Sequence, residues 1–423
     1  MARIDLTDRD RAFLAGDMGE GAKLAMTIII RVAEAMGARK LLDITRAHID
    51  SCVFYGVAGL DFAERMRDAG AHTSVPTTLN ISSLDLLHPD LYRGDEETKK
   101  LATRLMNAYV DMGGQPTWTC APYQLTDRPG FGEQIAWAES NAIVFANSVI
   151  GARTNPYGDF IDIAAAVTGR VPAAGLHLSE NRRGELLFRL RGLPEALLRE
   201  EVFFPVLGHL IGRRAGRRIP VISELPASTS EDSLKALGAA AASSGSVALF
   251  HAVGLTPEAP DTGTAFAELE PLGTIDVDSA MIAEARDELT TATTGPLRAV
   301  TLGTPHMSIE GFARLAALLS GEVIHPEIEF YINTGRSVLD EVRNRGWLAE
   351  IERAGAQVVT DTCTYVTPIL RRLDGVVMTD SGKWAYYAPG NLGVDVAFGS
   401  MKECVRSGVA GRIVRDEELW SGI

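Results

Sequence analysis

The stretch AVTLGTPHMSIEGFARLAALLSGEVIHPEIEFYINTGRSVLDEVRNRGWLAEIERAGAQVV, residues 299–359, decides the fold class. It opens on a β-branched run, Ala299-Val300-Thr301-Leu302, and passes into an amphipathic pattern from Ile309 to Leu319. A second β-like run, Phe330-Tyr331-Ile332, leads into a helical pattern from Ser337 to Arg353, and Gln357-Val358-Val359 follows as a third strand. Short apolar strands alternating with helices of ten or more residues predict βαβ units and a mostly parallel sheet. The same alternation extends in both directions. Asp8 to Ala15, Glu20 to Met36, Ala58 to Ala69, Glu96 to Val110, Pro194 to Leu210 and Glu231 to Ala242 read as helices. Val247-Ala248-Leu249-Phe250 reads as a strand between glycines 245 and 254. The expected architecture is α/β, with several three-layer α/β/α domains. A subdivision at 1–190, 191–290 and 291–423 fits the length, since one domain takes roughly 150 residues.

The chain has 423 residues and 41 basic against 55 acidic side chains, a net charge of −14. That balance argues against general affinity for nucleic acid or anionic membrane, both of which need a basic face. Apolar content of 46% excludes a disordered chain. The start, Met1-Ala2-Arg3-Ile4-Asp5-Leu6, has no apolar signal-peptide core, and no apolar run nears the ~20 residues of a membrane span. A cytoplasmic protein is expected. The run Arg213-Arg214-Ala215-Gly216-Arg217-Arg218 reads as a solvated surface loop.

Several loops at expected strand ends are dense in hydroxyl, amide and thiol groups, which is where α/β proteins place ligand-handling residues. They include 47–52 with His48, 75–80 with Thr78 and Asn80, 118–123 with Cys120, and 147–155 with Ser148, Arg153, Thr154 and Asn155. Two more are 361–365 with Cys363 and 378–384 with Ser381 and Lys383. The four cysteines, at 52, 120, 363 and 404, form no CxxC pair. Cys120 and Cys363 share a context, each following a threonine in a polar loop. Cys404 lies at the start of an expected helix, where the dipole favours thiolate. Three thiolates could hold an iron–sulfur cluster that lacks one protein ligand, leaving an iron open to substrate.

These segments, in order and over essentially the whole chain, resemble the large or catalytic region of the aconitase X family. The matching residues include Val75-Pro76-Thr77-Thr78-Leu79-Asn80, Thr119-Cys120-Ala121-Pro122-Tyr123 and Ala136-Trp137-Ala138-Glu139-Ser140. The most distinctive is Ala146-Asn147-Ser148-Val149-Ile150-Gly151-Ala152-Arg153-Thr154-Asn155. Ser381-Gly382-Lys383-Trp384-Ala385-Tyr386-Tyr387 and Cys404 complete the set. The resemblance implies an aconitase-like fold and an iron–sulfur cluster of unspecified nuclearity held by Cys120, Cys363 and Cys404. It implies a hydro-lyase that removes water from a small hydroxy acid. The candidates are cis-3-hydroxy-L-proline, giving 1-pyrroline-2-carboxylate, and alternatively 5-phosphomevalonate. A non-catalytic binding protein is the remote alternative. A separate small swivelling-domain subunit is implied as partner, with neither nucleic acid nor membrane. Cys52 has no implied role.

The chain departs from the family pattern at Ala121, at Asn141 and at Pro156-Tyr157, where arginine and glutamate are frequent. The last change weighs against a phosphorylated substrate, which favours Arg and Lys donors. For the chemistry, Arg153 is the expected grip on the carboxylate, with Thr78, Asn80, Ser148, Thr154 and Asn155 as substrate-binding candidates. Ser381 is expected to take the proton with Lys383 beside it, and His48 is the competing base.

Overall fold

The computed structural model describes residues 4–420. The chain divides into two compact units, residues 1–84 with 94–183, and residues 85–93 with 184–423.

In the first unit, strand β1 (Leu41–Asp43) precedes β2 (Ala47–Ile49), β3 (Thr77–Leu79), β4 (Ala136–Trp137) and β5 (Arg170–Pro172). β2 lies between β3 and β4, parallel to both, and β1 pairs antiparallel with β5. Helices cover this small sheet because their apolar stripes have nowhere else to go. Helix Glu20–Ala35 buries Ala22, Ala25, Ile29 and Ala33, which lie three or four residues apart. Its Gly21 passes so close to residue 71 that a Cβ there would sit 2.5 Å from the Ala71 nitrogen. Helix Ile161–Thr168 packs against it and is buried on nearly every side. Helix Ser140–Phe145 runs on into a π-turn, Ala146–Ile150, that ends at left-handed Gly151. Such π-turns widen a helix and tend to occur at functional sites. This one falls in the most distinctive stretch of the sequence.

In the second unit, β6 (Leu186–Arg189), β7 (Pro220–Ser223), β8 (His251–Ala252) and β9 (Gly273–Asp276) form a parallel sheet ordered β8-β7-β6-β9. Helices Phe203–Ala215 and Glu231–Gly245 press together beside it through glycines. A Cβ on Gly245 would lie 1.8 Å from the Gly212 carbonyl oxygen, so only glycine permits this approach. The second sheet holds β10 (Leu297–Leu302), β11 (Glu329–Asn333), β12 (Gln357–Val359), β13 (Val376–Thr379) and β14 (Asp395–Phe398) in the order β12-β11-β10-β13-β14, all parallel. Its core runs through Val300, Leu302, Phe312, Phe330, Ile332, Leu339 and Met378. The α/β expectation therefore holds, with parallel sheets in both units.

Four local readings differ. The expected helix 194–210 is two helices, Glu195–Leu198 and Phe203–Ala215. The expected helix 337–353 is two helices, Arg336–Asn344 and Trp347–Arg353, because Gly346 adopts φ +80° between them. The expected strand 247–250 is buried but irregular, and the strand falls at His251–Ala252 beside Val221 and Ile222. The arginine run is partly helical. Arg213 and Arg214 close the last turn of Phe203–Ala215, where cations suit the dipole, and pair with Glu288 at 3.6 Å and Glu284 at 3.8 Å. Among the described residues, no helix is long and apolar enough to cross a membrane.

Candidate active site

In the first unit, the register of β2 and β3 sets His48 directly beside Thr78. The His48 Nδ1 and the Thr78 hydroxyl lie 2.8 Å apart. The ring is fully buried, and desolvation pushes its pKa down to about 3, so the imidazole is neutral at physiological pH. Its Nε2 and the Oδ1 of Asn80 are buried without a hydrogen-bond partner. Asn80 also donates through Nδ2 to Asp50. Beneath them, Asp162 accepts from the Asp50 amide at 2.8 Å and from the Ser51 hydroxyl. Desolvation, with Asp159 adding to it, pushes the Asp162 carboxyl up to about 6.

Cys120 is buried in the loop that precedes the short turn Pro122–Gln124, and its carbonyl accepts from Asn141 Nδ2 at 2.9 Å. Asn141 in turn accepts the Tyr123 hydroxyl at 2.5 Å. Arg153 donates to the His177 carbonyl at 3.3 Å, and its buried Nε has no partner. Thr154 and Asn155 are committed to the backbone. The Thr154 hydroxyl accepts from the Trp137 amide at 3.1 Å, and Asn155 bridges Leu176 N at 2.7 Å and Ala174 O at 3.0 Å. Ser148 is buried within the π-turn. His177 lies between Gln134 and Tyr157, at 2.6 Å from each, which makes it a structural ring.

In the second unit, the loops after β10, β12 and β13 carry the candidate groups. Chain order reverses around β10 and β13: β11 lies to one side and β14 to the other. Ligands in open parallel sheets bind in the crevice at the carboxyl ends of strands where this reversal occurs. There, His306 follows β10, Cys363 follows β12, and Ser381 with Lys383 follows β13. A ring nitrogen of His306 and the Cys363 sulfur lie within 4.8 Å of each other. His306 Nε2 is 3.1 Å from the Thr362 carbonyl. A carbonyl only accepts, so Nε2 carries the proton and Nδ1 the lone pair, an orientation typical of metal-ligating histidines. Burial pushes the His306 pKa down to about 4, which keeps that lone pair available. Neutral imidazole and thiol are donors suited to iron.

Ser381 caps helix Gly382–Leu392. Its hydroxyl accepts the Trp384 amide at 3.0 Å and donates to the Thr304 carbonyl. Lys383, nearly buried, enters the first turn of that helix. Both line a cleft of ≈ 530 Å³ with Lys235, Arg314, Asp232 and Asp380. Desolvation, reinforced by Glu201, pushes the Asp380 carboxyl up to about 7.

Cys404 belongs to the same unit. It is fully buried on helix Met401–Ala410 among Leu302, Phe330 and Met378, and burial pushes its thiol pKa well up. Desolvation here opposes the preference of a helix terminus for thiolate. Cys52 in the first unit is fully buried too, and its thiol is likewise pushed up. Sequence reasoning missed His306 and Asp380. The signal for His306 was present, since Gly303-Thr304-Pro305-His306 follows a predicted strand as directly as the polar loops that were singled out.

The sequence matches the aconitase X first domain over residues 3–180, the second domain over 184–287 and the third over 297–410. The chain is 45% identical over 414 residues to cis-3-hydroxy-L-proline dehydratase of Pseudomonas aeruginosa, covering 97% of this chain and 71% of that protein.

The chain belongs to the aconitase X family.

A cis-3-hydroxy-L-proline dehydratase of Hypocrea jecorina is 42% identical, over 96% of this chain and 69% of that one. The phosphomevalonate dehydratase large subunit of Methanothermobacter thermautotrophicus is 34% identical, over 96% and 99%. The crystal structure of Thermococcus kodakaraensis aconitase X in its holo-form superimposes with a TM-score of 0.86 at 31% identity, covering 96% of this chain and all of that one. These relatives are named dehydratases, so this chain stands in a family of hydro-lyases with the aconitase-like α/β fold.

Proposed function

We propose that this protein is an iron-dependent dehydratase of cis-3-hydroxy-L-proline, forming 1-pyrroline-2-carboxylate. The observation that carries the substrate is the 45% identity to a dehydratase of that name, against 34% to a phosphomevalonate dehydratase large subunit. The proposed ligands are Cys120 and Cys363, with His306 joining Cys363 in place of Cys404. Its support is the His306–Cys363 pair and the apolar surroundings of Cys404. Bound iron–sulfur supplies a Lewis acid for the departing hydroxyl.

The chain's own groups handle the charge and the proton. Arg153, anchored on the His177 carbonyl, offers its guanidinium to the substrate carboxylate. Lys383, buried at the start of its helix, is the proposed cation of the second unit. Ser381 has committed its hydroxyl proton to the Thr304 carbonyl and one acceptor site to capping its helix. His48 keeps an Nε2 with no protein partner, so we assign it the proton. His48→Gln is expected to lower kcat by about 10²–10⁴-fold, the usual range for a general base. Ser381→Ala is expected to keep most of its turnover and to lose about 1 kcal/mol of stability, the usual cost of an N-cap. A dead Ser381→Ala protein with an unchanged melting temperature would return the base role to serine.

A small swivelling-domain subunit is the proposed partner, supported by the large-subunit names of the phosphomevalonate branch. Cytoplasmic location is proposed with it, supported by the low cysteine content, four in 423 residues. The deciding experiment assays oxygen-free, iron-loaded protein with its small partner on both substrates. Turnover of cis-3-hydroxy-L-proline but not of 5-phosphomevalonate is expected. The reverse overturns the substrate assignment.

A further inference from the structure

The loop that carries Cys363 is held in an unfavourable backbone conformation by a clamp outside the ligand set. Asp361, two residues before Cys363, has φ +62° and is fully buried. A side chain other than glycine in the left-handed region is strained, and it persists only where its surroundings enforce it. Here they do. Arg336, the first residue of its helix, forks onto Asp361 with two parallel bonds of 2.6 and 2.7 Å. The Leu86 amide adds a third bond to the same carboxylate at 3.1 Å. The preceding residue is fixed as firmly. Asp85 accepts from the Thr360 amide at 2.9 Å and from its hydroxyl at 3.0 Å. Asp85 is itself locked by the amides of Leu87 and His88 and by the His88 ring, at 2.8 to 2.9 Å.

The consequence reaches both candidate ligands of this unit. The residue after Asp361 is Thr362, whose carbonyl takes the His306 ring N–H. The next residue is Cys363. One reversed residue therefore sets the direction of the thiol and the tautomer and tilt of the imidazole together.

We propose that Asp361, clamped by Arg336, is the positioning residue that preorganises Cys363 and His306 for iron. It touches neither iron nor substrate and acts by fixing the backbone between the two ligands. The proposal rests on the reading of Cys363 as an iron ligand.

The test measures iron affinity of full-length protein by chelator competition, together with the visible spectrum and far-ultraviolet circular dichroism. Arg336→Leu removes the fork. Asp361→Asn tolerates the left-handed conformation but weakens the clamp. Each is expected to stay folded, to bind iron tenfold or more weakly, and to show an altered absorption envelope, in line with losses of outer-shell partners at metal sites. Arg336→Lys, which keeps the charge and loses the fork, should fall between Leu and the parent. A merely structural clamp would lower the melting temperature and leave iron affinity of the folded protein unchanged. That result in either variant overturns the proposal, and if Arg336→Leu does not fold, Asp361→Asn decides alone. Cys363→Ser runs in parallel: undiminished iron there overturns the ligand reading, whereas iron lost there but kept in the clamp variants overturns only the clamp.

Discussion

Cys363→Ser protein is expected to lose its iron and, with it, turnover to background. The sulfur lies within 4.8 Å of a ring nitrogen of His306, whose Nε2 proton is directed to the Thr362 carbonyl. Serine oxygen is a harder and more basic donor that stays protonated at neutral pH, so it does not replace thiolate on iron. The loss should exceed the roughly 10- to 100-fold effect of removing an outer-shell partner, because a ligand itself is gone. Iron and sulfide analysis of protein purified without oxygen measures it. Cys52→Ser is the control. Its thiol is buried and held protonated, and it donates to the Ile49 carbonyl at 3.5 Å, so iron should be retained. Cys404→Ser separates the expectation raised by the sequence from the packing seen in the fold. If Cys404 is only a core residue, its serine variant loses stability through a buried hydroxyl and still binds iron once folded. Full iron in Cys363→Ser would remove the assignment.

Arg170→Leu is expected to destabilise the first unit by about 3–5 kcal/mol, the cost of stranding one partner of a buried ion pair. Arg170 and Asp10 are both buried, and the guanidinium meets the carboxylate at 2.9 and 3.1 Å. It reaches Asp43 as well, at 2.8 Å. This pair ties the first helix, Asp8–Ala15, to β5 across 160 residues of sequence. Replacing both partners by leucine is expected to cost far less than either single change, because no uncompensated charge stays behind. The pH dependence has a fixed sign. Burial raises the Asp10 pKa, but the Thr7 amide and the Arg170 fork outweigh it and hold the carboxyl below its ordinary value. A carboxylate depressed in the folded state stabilises the protein above its unfolded pKa, and the contribution is lost as pH falls through the folded value. The parent should therefore lose stability on acidification below about pH 4, the ordinary aspartate range. Asp10→Asn should show a flatter acid limb in urea melts taken across that window.

Much of this was legible in the residues. The alternation over 299–359 specified parallel strands, and the helix Ile309–Leu319 and strand Gln357–Val359 fall where their patterns end. Ser230 and Ser400 cap the helices that follow them, contacts between sequence neighbours. Gly346 broke a helix that periodicity alone carried through, since a left-handed residue interrupts hydrogen bonding without changing the apolar spacing. The polar loops were legible as a class, but their members were not equivalent. Thr154 and Asn155 proved to be spent on the backbone, while His48 and Asn80 kept buried atoms unmet.

By itself, the sequence determined what depends on near neighbours and on pattern: an α/β chain with parallel sheets, polar loops at strand ends, and a resemblance strong enough to name the family. Only the tertiary structure decided which of the distant residues matter together. His306 and Cys363 are 57 positions apart and share a site because β10 and β12 run parallel and end on one edge of the same sheet. Cys404 has the same side chain as Cys363 but is enclosed by apolar residues. Burial raises the cost of its thiolate, and no spacing along the chain could have shown that.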